Sequence, residues 1–259
     1  MFNFFQPKPI VSNTTEQWIE ACFAWAVAHF DGRAFTDHSR LVQPTNEFFP
    51  GRVDSPQAMA TTVFGHVLGY AGLQHWPLQL VQPEGEVDYR QQLLGLDTTR
   101  RGAVDAALPA LHSPHALPVF FHPAQCQQPG DLAGFLATTL AQHLILQAQH
   151  PVPGGDEFFA MAAEVVAVFM GFGVLLANSA YNFRGSCAKC YNPAANRPAA
   201  LSEAEVIHAL ALFCTWKQVP FKDASRHLKP HLRRQLKQAM AYLEHRKRQT
   251  GSMGLRAAD

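Results

Sequence analysis

The chain has 259 residues, 47% of them hydrophobic and 16% charged, with a formal net charge of +1. That composition excludes a disordered protein and an overall basic chain, and it supplies enough apolar surface for a full core, as one large domain or two intimately packed ones. Five cysteines, an odd number, argue against a disulfide framework, and "MFNFFQPKPIVSN" lacks the charged start and continuous apolar core of a secretory signal. The chain therefore reads as cytoplasmic and reduced.

In chain order, "TTEQWIEACFAWAVAHF" predicts a first helix from a threonine cap and helically spaced apolar residues. "LVQPTNEFFPG" is a turn, and "SPQAMATTVFGHVLGYAGL" predicts a second helix capped by Ser55 with Pro56 at its first position. "PLQLVQP" and "LPVFFHP" read as short strands. Between them, residues 84–116 lose periodicity and read as an irregular insertion. Two helices follow over 131–150 and 156–181, broken by "PVPGG" and therefore a hairpin. The segment 158–177, "FFAMAAEVVAVFMGFGVLLA", is long enough to span a bilayer, but it carries Glu164 at mid-length and lacks basic flanking anchors. We expect a buried central helix, with "GFG" allowing close helix packing and Glu164 in need of a partner.

After a turn-rich stretch, "LSEAEVIHALALFCTWK" opens on a Ser202-x-x-Glu205 capping box. "DASRHLKPHLRRQLKQAMAYLEHRKR" places Leu228, Leu232, Leu236, Met240 and Leu243 on one apolar stripe. The fold expected is mainly α (α+β): a single domain over 1–259, with N-terminal helices and a short strand over 1–83. A small sheet beside a central helix hairpin and C-terminal helices then follow over 117–250.

The chemistry-bearing residues are few. His143 and His150 are seven residues apart on one helix, about 10 Å along its axis, too far to share a zinc ion. Cys187-x-x-Cys190 is half of a tetrahedral zinc site with no second half at finger spacing, and His208 and Cys214 are the nearest candidates to complete it. Two loop cysteines in a reduced compartment are the plainer reading. Arg226, Lys229, Arg233, Arg234 and Lys237 crowd the C-terminal helical stretch and could meet an acidic protein, RNA or phospholipid headgroups. Without interleaved aromatics or a membrane span, a protein partner is favoured over nucleic acid or membrane.

Four stretches in order, "PTNEFFPG", "ATTLAQHLIL", "EVVAVFMGFGVLLANSA" and "ALSEAEVIHALALF", resemble an uncharacterised zincin-like family of bacterial proteins. In that family the second stretch carries HExxH, two histidines one helical turn apart that hold zinc and a glutamate that acts as base. Laid on the pattern, Gln142 stands at the first histidine, His143 at the glutamate and Leu146 at the second histidine, while Glu164 keeps an acidic position. The resemblance thus implies a degenerate site: no catalytic residue, no cofactor, and a non-catalytic pseudoenzyme serving as a protein-interaction or scaffold module. The alternative is a metal-dependent hydrolase or peptidase with a rearranged zinc site drawn from His143, His150, Glu164 and the cysteines. Across the hairpin, His143 is expected to pair with Glu164.

Overall fold

The computed structural model describes residues 7–30, 32–82, 93–94, 101–102, 110–111, 116–180 and 196–250. Among these the protein is mainly helical with a two-stranded parallel sheet. Helix α1 spans Asn13–His29, and its cap is Ser12 rather than Thr14: the Ser12 hydroxyl accepts from the Thr15 N–H at 3.1 Å. Ser55 caps α2, Pro56–Ala71, with Pro56 in the first turn where no intrahelical N–H is required. Both ends of α2 follow from sequence chemistry, because it stops at Gly72 with φ 71°.

Strands β1, Leu78–Val81, and β2, Leu117–Phe120, pair in parallel with Leu78 opposite Leu117. Parallel neighbours cannot be joined by a tight turn. The aperiodic stretch between them is therefore a crossover connection, and its described residues are anchored. Gly102 N–H donates to the Gly72 carbonyl at 2.9 Å and Leu111 N–H to the His75 carbonyl at 2.9 Å. Arg101 is buried at 2% exposure, donating from Nε to the Ala71 carbonyl at 2.9 Å and from Nη2 to Ser39 Oγ at 3.0 Å. A buried cation held through two of its nitrogens is a core element, so this part of the crossover is built into the fold.

Helix α3, Pro129–Ala148, packs against the segment that composition alone would pass as a membrane span, Asp156–Ser179. That segment is mostly buried and is not one straight helix. Helix α4, Phe159–Ala167, passes through a wider turn over Val168–Phe172 into α5, Gly173–Ser179. The break is Gly171, at φ 107°. "GFG" was expected to bring helices together, and Gly173 does so, since a Cβ there would lie 2.9 Å from Leu210 Cδ1; Gly171 in addition admits a loop. A Cβ there would lie 2.1 Å from the Arg40 carbonyl oxygen, and Val42 N–H donates to the Gly171 carbonyl at 2.9 Å. Only glycine meets both demands, the positive φ and the contact.

The capping box predicted at Ser202 and Glu205 starts α6, Glu203–Lys217, which runs through the core with Val206 to Cys214 buried. The last stretch divides at Pro230 into a short α7, Phe221–Ser225, and a long α8, Pro230–Thr250. Leu228, Leu232, Leu236 and Leu243 are buried as the spacing required, and Met240 is half-buried against them.

Candidate functional site

The acid expected to need a partner has several. Glu164 is 1% exposed, and Arg197, equally buried, binds Oε1 through Nη1. The same carboxylate accepts from the Ala200 N–H at 2.9 Å and the Leu201 N–H at 3.1 Å, one on each oxygen. Arg197 also donates from Nε to Ser179 Oγ at 3.0 Å and from Nη2 to the Leu176 carbonyl at 3.4 Å. In a straight helix residues 164 and 179 would lie about 22 Å apart along the axis. The bend at Gly171 lets one guanidinium reach α4 and α5 together.

The predicted His143–Glu164 pair is therefore corrected. His143 is half-buried, and its Nε2 lies 3.1 Å from the Pro118 carbonyl oxygen on β2. A carbonyl only accepts, so Nε2 carries the proton and Nδ1 keeps the single lone pair of the neutral ring. Burial lowers the pKa of His143, against a smaller raising influence from that hydrogen bond. Gln142 and Leu146 are also half-buried. One turn beyond His143 stands Gln147, whose Oε1 accepts from the Leu94 N–H at 2.7 Å. The face of α3 bearing Gln142, His143 and Leu146 thus supplies one imidazole lone pair and no second ligand at helical spacing.

His150 belongs elsewhere. Its ring lies 4.5 Å from that of His29 at the end of α1, with planes 30° apart. Cys187 and Cys190 lie outside the described residues. His208 and Cys214, proposed to complete their site, are fully buried in α6. Burial pushes the Cys214 thiol up to about 12, which keeps it protonated in the core. Burial and the nearby Arg246 charge push His208 down to about 4. Among the described residues no group of three or more His, Cys, Asp or Glu is placed to hold a metal ion.

Sequence reasoning missed Arg197. The signal was available in physical form, since a buried acid demands a cation and "NRPAA" offers one ahead of the next helix. Its neighbour Asn196 donates to Asp131 Oδ2 at 3.2 Å, extending the polar junction to the first turn of α3. Burial raises the pKa of Asp131, opposed by that bond and by the charges of Lys229 and Arg197. A cleft of about 250 Å³ opens beside the first turn of α3, lined by Thr45, Phe49, Met59, His66, Pro129 and Leu175 among others. None of Gln142, His143, Leu146 or Glu164 reaches it.

The basic residues divide. Arg226, Arg233, Arg234 and Lys237 are exposed, together with Lys222 on α7. Lys229 is half-buried, and its backbone N–H donates to Asn178 Oδ1 at 3.0 Å. Its charge favours the ionised form of Asp131. Comparison of the chain with protein-family models, with curated proteins and with solved structures gives no match.

Proposed function

We propose that the chain is a non-catalytic, zincin-like pseudoenzyme that works in the cytoplasm as a protein-interaction or scaffold module. The observation that carries this reading is the commitment of Glu164. Both its oxygens are bound by Arg197 and by two backbone N–H groups, so a ligand role would require breaking a buried ion pair and leaving two amides unsatisfied. On the neighbouring helix Gln142 and Leu146 offer no imidazole, and His143 stands where the resemblance calls for the general base. A hydrolase needs an open metal position and a base beside it, and these residues supply neither.

Elemental analysis tests the reading on untagged protein purified without chelator, in a Cys187→Ser/Cys190→Ser background that removes those two thiols. The expected result is zinc far below one equivalent per chain. Near-stoichiometric zinc that disappears on His143→Ala would overturn the reading in favour of a rearranged metal site.

A further inference from the structure

We propose that the elbow between α7 and α8 is a docking face for an acidic, carboxylate-rich segment of another protein. This proposal names the partner class for the interaction module argued above and rests on that reading.

Lys222 and Arg226 are four residues apart at α7, and Arg233 and Lys237 are four residues apart on α8, so each pair lies on one helical face. The two pairs are joined by Arg233, whose Nε donates to the Leu228 carbonyl at 2.8 Å and whose Nη2 donates to the Arg226 carbonyl at 3.3 Å. Arg234 adds a fifth exposed cation beside them. Among the described residues the ion pairs of α8 involve His231, Arg246 and Arg248, and none of these five is in an ion pair, Asp223 on α7 being an exposed acid between Lys222 and Arg226.

An ordinary solvated basic helix keeps its long side chains free, and binding must then immobilise them. Arg233 differs in that two of its nitrogens are already held by the turn. Its planar fork is oriented before any partner arrives, and a pinned guanidinium suits bidentate carboxylate recognition. The apolar chemistry that other polyanions exploit is missing here. Tyr242 is half-buried with its hydroxyl donated to Glu16 Oε2 at 3.0 Å, and Leu93 on the crossover is the large hydrophobic residue most exposed among those described. Base stacking on RNA and insertion into a bilayer both call for exposed aromatic or aliphatic side chains that the elbow lacks. Charge complementarity with an extended acidic segment remains the match.

The test is fluorescence anisotropy with a labelled poly-glutamate peptide, a single-stranded RNA of matched charge, and vesicles of mixed phosphatidylserine and phosphatidylcholine. Wild-type protein should bind the peptide at low salt more tightly than the RNA or the vesicles, with affinity falling as salt rises. Arg234→Glu/Lys237→Glu should weaken peptide binding by at least about tenfold. Lys247→Glu/Arg248→Glu, an equal charge change near the far end of the same helix, should weaken it by no more than about twofold. All four positions are exposed, and circular dichroism confirms that the variants fold. Equal losses in the two variants, absence of peptide binding, or tighter binding of RNA or vesicles would each overturn the proposal. The zinc measurement is blind to these substitutions, so the two readings fail separately.

Discussion

Two regions of one helix hairpin have had different fates. At the junction of α4, α5 and the 196–201 segment, every described polar group has a partner of opposite character: Glu164 with Arg197 and two amides, Arg197 with Ser179, Asn196 with Asp131. On the neighbouring face of α3, Gln142, His143 and Leu146 sit half-buried, and His143 is tied to the sheet by one hydrogen bond. The difference lies in the cost of burying a charge. An uncompensated carboxylate in a core is costly, and at Glu164 a guanidinium and two backbone donors offset that cost. Gln142 and Leu146 carry no charge and incur no such cost.

The sharpest way to break the comparison is at the junction. Arg197→Ala leaves Glu164 buried and short of its cation, and should lower stability by about 3–5 kcal/mol in urea denaturation. A loss under about 1 kcal/mol would mean that Glu164 has other support. A smaller effect comes from pH. His208, held neutral down to about 4 against an ordinary value of 6.5, favours the folded state fully above pH 6.5 and progressively less as pH falls toward 4. At pH 5 the deficit should be about 2 kcal/mol relative to pH 7.5. His143, also lowered by burial, acts in the same direction. His208→Leu should flatten the acid limb of the stability profile, and an unchanged limb would place the proton uptake on other groups.

Much of the fold was legible because it follows from local rules. Ser55, Pro56, Ser202 and Glu205 announce helix starts by chemistry that operates within four residues. The leucines of α8 announce a buried face by period alone. What was not legible depends on contacts distant in sequence. Nothing near Gly171 reveals that the Arg40 carbonyl will press against it, and nothing near Arg101 reveals that a crossover residue will enter the core. Glu164 was recognisable as needing a partner, but hairpin pairing pointed to His143. The bend at Gly171 opened a route to Arg197 that a straight helix would not provide.

The claim that Glu164 belongs to the Arg197 junction and not to the His143 face is tested most directly by two double-mutant cycles run side by side. One combines Glu164→Gln with Arg197→Met, the other Glu164→Gln with His143→Ala, and each is read from chemical denaturation. His143→Ala alone should cost about 1 kcal/mol, the worth of its bond to the Pro118 carbonyl. The account predicts a coupling of at least about 2 kcal/mol between Glu164 and Arg197, and less than about 0.5 kcal/mol between Glu164 and His143. The reverse ranking would contradict it and place Glu164 with the His143 face.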